Sequence, residues 1–472
     1  MAHRPSGHKH SFSAPPSLRD LKKNLLKLTP PSSSMTPSYA RLAPTSPAIC
    51  IFPTTVPVDE CQRAYQFIAQ TLESNKIQGA YGIPIGFKEP DGRISPAIRF
   101  GFPQGTVPVV ARDNTRFKVY IMEDKVLSGL GRWANKEVQD PGRLGQVEIS
   151  LGQEGDLDEA GSFCAFLEAS NGKCFGTTAS HVVPMATRGS RLVSPASQET
   201  TARLSHILSY TTMGPDEAGK KVNPRKEQEA LNLLARYTSQ PSTHEDAVHV
   251  LQNKEQKRLA LSGRFVGELV GKTFSLKNVL NPHNNRLGPN RFIIPMGHLQ
   301  YLTRVDLAVF ACPPHLQTLN TAEDDTAVNG CRLVQPRDNV KKIGRSTGPT
   351  VGVVLNTALL HYFEDTTTAE FVVTPGEFIG NGDEVSSELP FALPGDSGSL
   401  VTCTNDKYRN DAIGLVHALT RRGELVAFTP MWCVLEEAEK LVGSGSLIVK
   451  GTFVHTRLQL VNQTLLMTTY SG

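Results

Sequence analysis

The chain has 472 residues, of which 39% are hydrophobic and 20% are charged, so a sizeable core can form and disorder throughout is excluded. The formal net charge of +4 is too small for a dedicated nucleic-acid binder, so no nucleic-acid partner is expected. No apolar run approaches the ~18 residues of a membrane span, which excludes an integral membrane protein. At about 150 residues per domain, the length predicts two or three domains.

The first 57 residues carry the positive charge. They hold seven Lys and Arg but a single acid, whereas the rest of the chain holds 42 basic and 44 acidic side chains. Ten of the 32 prolines and nine serines also fall here, which predicts a disordered basic tail over 1–57. Leucines at helical spacing beside lysines indicate a transient helix in this tail. A mitochondrial presequence is an alternative for such a basic, serine-rich start.

Eight cysteines are scattered along the chain. They form no Cys-x-x-Cys pair and no paired Cys/His spacing, so no metal site is predicted. The first residues contain no apolar stretch like the core of a secretory signal. Together these features favour a reducing intracellular setting, cytoplasmic or nuclear, with reduced thiols.

A small α/β module is predicted over 58–145. Asp59 is the candidate cap of a helix running through 61–72. Strand-like patterns follow at 80–87, 97–102 and 117–122. No catalytic motif falls in this module.

A longer β-rich region follows over 146–442. The dipeptide Asn171-Gly172 between two apolar runs is a strong hairpin signal. A segment over about 205–262 is rich in Glu, Lys and Gln with leucines at helical spacing, which predicts a charged helical insertion. Short strands then alternate with Gly, Asp and Asn turns, as is typical of a barrel or sandwich, before a short helix at 434–442. Residues 443–472 are predicted to form a β-like extension.

The strongest chemical signal is Gly395-Asp396-Ser397-Gly398, which stands before an apolar strand. Glycine lets the backbone turn where a side chain would clash, so a serine between glycines suits a nucleophile on a tight turn. The same glycines let two N–H groups point at one spot beside the hydroxyl. An ordinary Gly/Ser turn is the alternative for this segment taken alone.

Two other segments supply a base and an acid. His181 follows Thr-Thr-Ala-Ser at the end of a strand-like run, and Asp306 stands at the start of another apolar run. Alone, each would be explained as a structural or turn residue. Serine needs a base before it can act as a nucleophile, and the base needs an orienting acid. His181, Asp306 and Ser397 together supply one of each.

In these segments the sequence resembles the chymotrypsin-like serine proteases. In that superfamily Thr-Ala-Ala-His carries the base, Asp-(Ile/Leu)-Ala-Leu the acid and Gly-Asp-Ser-Gly-Gly the nucleophile. The resemblance covers about residues 150–440, and it implies a mainly β fold of two antiparallel β-barrels with a His181, Asp306 and Ser397 triad. The chain order His, Asp, Ser agrees with that family. The pattern is most similar to intracellular trypsin-like proteases of fungal type.

The resemblance also implies the remaining parts of an active site. The backbone N–H groups of Gly395 and Ser397 would form an oxyanion hole. Phe391, six residues before the nucleophile, would lie at the base of the specificity pocket, where no acid then selects Arg or Lys. His417 would stand near this pocket, either as a wall residue bonded to the backbone or as a group that helps to bind an acidic or polar side chain.

One element of the secreted relatives is missing. Their activating Ile-Val-Gly-Gly start, whose new amine pairs with the acid corresponding to Asp396, has no counterpart near 140–160. Either the site is preformed with Asp396 paired differently, or the N-terminal module controls it.

The expected function is therefore a serine endopeptidase that acts on a protein or peptide substrate without a metal or cofactor. The tail and the module are the expected places for a regulatory partner. Two alternatives stay open: a catalytically silent protease-like binding or scaffold protein, and a protease that acts only on itself or on one dedicated partner.

Overall fold

Strands dominate the described part of the chain, which confirms the prediction of a mainly β protein. The structure, a computed structural model, describes residues 40–41, 49–89, 91–110, 116–128, 150–156, 159–194, 196–197, 264–278, 292–293, 302–313, 320, 327–378, 385–386, 390–405, 409–443 and 445–450. The predicted insertion over about 205–262, the leucine stripe of the tail and the last residues of the C-terminal extension lie outside these ranges. None of the described helices is both long and apolar enough to span a membrane.

Among the described residues, the N-terminal part contributes one helix and six strands. The helix α1, Val58–Asn75, buries Ala64, Ile68 and Leu72, which recur at a spacing of four residues along one face. Asp59, predicted as the cap, instead lies in the first turn, where a negative charge suits the positive end of the helix dipole. The strands are β1 (Ala40–Arg41), β2 (Ile49–Cys50), β3 (Tyr81–Lys88), β4 (Ile94–Phe102), β5 (Lys118–Glu123) and β6 (Val126–Ser128).

The next seven strands belong to the first half of the β-rich region. They are β7 (Ser150–Gln153), β8 (Gly161–Ser162), β9 (Phe166–Ala169), β10 (Cys174–Thr178), β11 (Arg191–Ser194), β12 (Arg264–Asn278) and β13 (Leu302–Ala311). The hairpin predicted at Asn171-Gly172 is confirmed, since β9 and β10 pair antiparallel and Gly172 has a φ of 76°. A 3-10 turn, Ser180–Val182, follows β10.

The second half carries the remaining strands and a closing helix. The strands are β14 (Gly330–Cys331), β15 (Asn339–Gly344), β16 (Gly348–Val354), β17 (Leu359–Phe363), β18 (Thr366–Pro375), β19 (Glu377–Phe378), β20 (Val385–Ser386), β21 (Leu400–Cys403), β22 (Asp411–Thr420), β23 (Val426–Pro430) and β24 (Leu447–Val449). The helix α2, Met431–Val442, begins three residues before its predicted start and ends at Gly443 in the left-handed conformation.

Backbone pairing gathers these strands into two large sheets and one small pair, β19 with β20. The eight-stranded sheet has the order β24-β9-β10-β13-β12-β11-β7-β8. In the fourteen-stranded sheet, β15, β16, β18, β23, β22 and β21 pair antiparallel in a closed cycle of six strands. One apolar cluster contains residues of both large sheets and of α2, among them Val309, Val373 and Met431.

The N-terminal strands continue the fourteen-stranded sheet. β3 pairs with β17, and β6 pairs with β22. β2 pairs with β3, and the following Ile51 and Phe52 are buried. Residues 49–57, which the sequence assigns to the tail, thus include a paired strand and buried side chains, although prolines surround the apolar run.

Candidate active site

His181 and Asp306 are brought together by two paired strands. β10 and β13 run antiparallel with Thr178 opposite Ala308, so the residues just past β10 lie beside Asp306. The Nδ1 atom of His181 and Oδ2 of Asp306 form a short hydrogen bond. The carboxylate is buried, whereas 15% of the His181 side chain stays exposed. The structure thus pairs the predicted base with the predicted acid and leaves part of the base accessible.

The Asp306 carboxylate has several donors around it. Oδ1 accepts hydrogen bonds from the Ser180 amide at 2.7 Å and the His181 amide at 3.3 Å, and also from the Ser180 hydroxyl. Burial raises the pKa of Asp306, but the charge and hydrogen bond of His181 and the hydrogen bond from Ser180 outweigh it and hold the pKa well below its usual range. The ionised carboxylate can therefore hold the imidazole in one tautomer.

The loop that carries Ser397 is fixed against both large sheets. On one side, the Gly398 amide donates to the Val416 carbonyl at 2.8 Å and the Val416 amide donates to the Ser399 carbonyl at 3.0 Å, which ties the loop to β22. On the other side, Ser162 donates from its amide to the Ser397 carbonyl at 2.8 Å and from its hydroxyl to the Gly395 carbonyl at 3.1 Å.

Ser162 also connects this loop to the histidine segment. The Thr178 hydroxyl, three residues before His181, donates to the Ser162 carbonyl at 2.8 Å. A Cβ placed on Gly398, whose φ is 93°, would lie 2.1 Å from that same carbonyl oxygen, so this position requires glycine. The loop that carries Ser397 and the segment before His181 therefore meet at Ser162, a residue that no sequence motif marks.

Two of the loop's backbone N–H groups are not bonded within the described part of the chain. The amides of Asp396 and Ser399 are used internally, by the carbonyls of Leu393 and Asp396, both at 3.0 Å. The amides of Gly395 and Ser397 donate to no acceptor among the described residues. These are the two donors predicted for the oxyanion hole. The Ser397 hydroxyl likewise makes no hydrogen bond within the described part of the chain.

Asp396 is paired inside the chain. Its buried carboxylate lies 3.0 Å from the Lys342 ammonium and accepts hydrogen bonds from the Thr347 hydroxyl at 2.7 Å and the Ser346 amide at 2.6 Å. Both side chains of the ion pair are completely buried. Burial lowers the pKa of Lys342, and the neighbouring Asp396 carboxylate opposes this shift. Asp396 is therefore paired with a side chain of the intact polypeptide, without a newly cut chain end.

The two predicted pocket residues lie in the core. Phe391 has no exposed surface, and its ring centroid lies 5.6 Å from the Lys342 ammonium nitrogen. His417 is 1% exposed, with Nδ1 3.1 Å from the Thr429 hydroxyl and Nε2 3.5 Å from a carboxylate oxygen of Glu370. Burial lowers the pKa of His417 to about 4, so its imidazole is neutral near pH 7. His417 thus lies in the core, in contact with the side chains of Thr429 and Glu370.

The similarity of this chain to known proteins is low. No protein-family model matches this chain, and no curated protein matches it. Similar solved structures include a glutamic acid specific serine protease that uses a novel histidine triad in substrate binding (12% identity, TM-score 0.31, covering 64% of this chain and 97% of its own). Another is Protease A of Thermobifida fusca, with 10% identity and a TM-score of 0.30, covering 64% of this chain and 96% of its own. A third is Nocardiopsis protease, with 11% identity and a TM-score of 0.28, covering 64% of this chain and 98% of its own. At these TM-scores the likeness assigns neither fold nor activity to this chain.

Proposed function

We propose that this chain is a serine endopeptidase with a His181, Asp306 and Ser397 triad. The observation that carries the proposal is the partly buried hydrogen bond between His181 and Asp306, formed beside the loop that carries Ser397. The amides of Gly395 and Ser397, which have no acceptor among the described residues, support it.

The chemistry follows from these positions. Ser397 Oγ attacks the carbonyl carbon of the scissile bond while Nε2 of His181 takes its proton. Asp306 accepts the hydrogen bond from Nδ1 and stabilises the imidazolium that forms. The amides of Gly395 and Ser397 bind the developing oxyanion, at roughly 3–4 kcal/mol for each donor. His181 then protonates the leaving amine, and a water molecule, activated by the same imidazole, hydrolyses the acyl-enzyme.

We also propose that the two halves of the β-rich region form the two barrels of a chymotrypsin-like fold. The closed cycle of six antiparallel strands supports the second barrel, and β10 and β13 of the first half supply the base and the acid. All eight cysteines lie in the described residues and none forms a disulfide, which supports an intracellular enzyme like the fungal-type proteases.

A second candidate is a silent, protease-like binding protein. The observation in its favour is the Ser397 hydroxyl, which makes no hydrogen bond to His181 or to any other described residue. Catalytic hydrogen bonds are often long in unliganded sites and tighten in the substrate complex, so this geometry alone does not decide against the enzyme.

A fluorophosphonate probe, which reacts with activated serines, separates the two candidates. We expect the purified full chain to be labelled and Ser397→Ala to be unlabelled. The matched control is Ser399→Ala, two residues away in the same loop. It removes a hydroxyl that donates to the Asp396 carbonyl, and labelling should stay in place. Absence of labelling in the wild-type chain across pH 6–9 (roughly the range over which a histidine base works) would instead establish the silent protein. Intact mass of wild type against Ser397→Ala shows whether the chain cuts itself.

A further inference from the structure

One edge of β22 is used by three partners in turn. β21 pairs with it as far as Leu415, and the nucleophile loop then bonds to Val416 through Gly398 and Ser399. Directly beyond, β6 pairs with residues 418–420 of the same strand. A segment from the N-terminal part of the chain therefore occupies the strand edge next to the proposed nucleophile.

The direction of β6 along β22 determines which of its ends faces the loop that carries Ser397. It runs antiparallel to β22, with Val126 opposite Thr420 and Ser128 opposite Ala418. Val416, where the nucleophile loop is attached, lies two residues further along the same edge, or about 7 Å at the rise of an extended strand. The C-terminal end of β6 is therefore directed at the loop that carries Ser397.

β6 is held in place by contacts on both sides. The Val126 amide donates to the Gly79 carbonyl at 2.9 Å, and the Arg421 amide donates to the Lys125 carbonyl at 2.8 Å. The buried Arg99 guanidinium lies 3.3 Å from the Asp124 carboxylate, just before β6, and 2.5 Å from the Glu424 carboxylate, just after β22. These two ion pairs tie the start of β6 to the turn between β22 and β23.

We propose that β6 is a built-in occupant of the edge that an extended peptide needs in order to reach Ser397. This inference rests on the proposed endopeptidase function. An extended peptide binds to a sheet by adding a strand along an open edge, and at 418–420 that edge is already paired. The anchoring contacts lie at residues 124–126, and beyond them β6 pairs only through Leu127 and Ser128, so a substrate strand or a partner protein needs to displace only the C-terminal end of β6. The N-terminal part thereby restrains cleavage without covering the triad.

The test weakens the β6 pairing and measures two reactions. Leu127→Pro removes a strand N–H from the half-buried centre of β6, opposite Leu419. The matched control is Ile448→Pro, which makes the same change in the centre of β24, a three-residue strand of the other large sheet. We expect Leu127→Pro to raise kcat/KM for an extended peptide library about tenfold, because it should raise the fraction of molecules with an open edge about tenfold. Fluorophosphonate labelling, which needs no strand edge, should be unchanged, and Ile448→Pro should change neither rate.

The outcomes separate the two proposals. Unchanged or lower peptide turnover in Leu127→Pro, with labelling intact, would overturn the role of β6 and leave the protease. Absence of labelling in the wild type would overturn both. If Leu127→Pro does not fold, the wild-type chain answers instead: a tetrapeptidyl boronic acid that binds Ser397 should expose the amides of Val126–Ser128 to faster hydrogen exchange. Unaltered exchange there in the inhibited protein would contradict displacement.

Discussion

At the scale of single residues, the pairing of Lys342 with Asp396 governs the nucleophile loop. Asp396 stands directly before Ser397, and its carboxylate is bonded to Lys342, to Thr347 and to the amide of Leu393. An unpaired charge in this buried position would be costly, so we expect the shape of the loop to depend on the ammonium.

We predict that Lys342→Met lowers the free energy of unfolding by about 3–5 kcal/mol, because it leaves the buried Asp396 carboxylate without its cation. It should also slow the labelling of Ser397, since the loop that aligns the two oxyanion donors loses its anchor. Urea denaturation and the labelling rate measure the two effects. Arg93→Ala is the control, because the Arg93 and Asp91 pair is exposed and should leave both values unchanged. Normal labelling in a destabilised Lys342→Met would show that the pair supports only the fold.

The sequence indicates the residues of the proposed triad but not the residues that hold them in place. His181, Asp306 and Ser397 each stand in a motif whose chemistry is visible without a structure. Lys342 has no such mark, because the adjacent Lys341 has the same side chain and only the alternation of β15 turns Lys342 inward. Ser162 is likewise an ordinary serine until the fold places it between the nucleophile loop and Thr178.

At the scale of strands, four neighbouring strands place charged and titratable groups in the core. Arg304 of β13 and Glu370 of β18 are buried with their closest side-chain atoms 3.4 Å apart. His417 of β22 lies beside Glu370, and His361 of β17 is also fully buried. The two imidazoles are thus kept uncharged in a region that already contains an arginine and the Asp306 carboxylate.

This cluster predicts a loss of stability in mild acid. Burial, and to a smaller extent the Arg304 charge, lower the pKa of His361, and burial lowers that of His417 to about 4. Both native values lie below the unfolded value of about 6.5, so the unfolded chain takes up protons first as the pH falls. Stability should drop between about pH 6.5 and 4, by about 1 kcal/mol per pH unit for each histidine. Asp306, whose native pKa is depressed, adds its loss only below about pH 4.

Urea midpoints from pH 7.5 down to about 4 check this expectation. His361→Phe should flatten the decline, because the unfolded chain then takes up one proton fewer relative to the native protein. Neither ring nitrogen of His361 has a hydrogen-bond partner in the described structure, so the substitution breaks no hydrogen bond of the imidazole. The same slope in both proteins would contradict the assignment to His361.

Local pairings were predictable, and distant ones were not. The β9 and β10 hairpin follows from a turn dipeptide between two apolar runs. The pairing of β3 with β17 joins segments separated by more than half of the chain, and no local pattern specifies such a partner. The strands of the predicted module were therefore visible in the sequence, whereas their place beside β17 and β22 was not.

At the scale of the whole molecule, the segment before α1 is part of the folded body. The amide of Phe52 donates to the Asn356 side chain at 3.0 Å, and Asn356 donates back to the Phe52 carbonyl at 2.9 Å. The Phe52 ring also meets Phe117 edge-on at 5.7 Å between centroids. The N-terminal segment thus contacts residues about 300 positions away in the sequence.

We predict that removing residues 1–57 destabilises the protein more than removing residues 1–38. The longer deletion removes β2 and the buried Ile51 and Phe52, at least about 3 kcal/mol of apolar burial, and leaves the buried Asn356 amide without its partner. Urea denaturation of the two truncated chains measures the difference. Equal midpoints would show that β2 and Phe52 contribute nothing to the stability of the body.

The pairing of Asp396 with the Lys342 ammonium bears on whether the proposed activity can be switched reversibly. A protease whose site is completed by a new chain end is activated only once, because the cleavage that creates this end is not reversed. In this chain Asp396 is paired with Lys342 inside the intact polypeptide. With β6 as the restraint, switching is an equilibrium between two strand pairings, and a partner that leaves allows β6 to return. Such an enzyme could be turned off and used again.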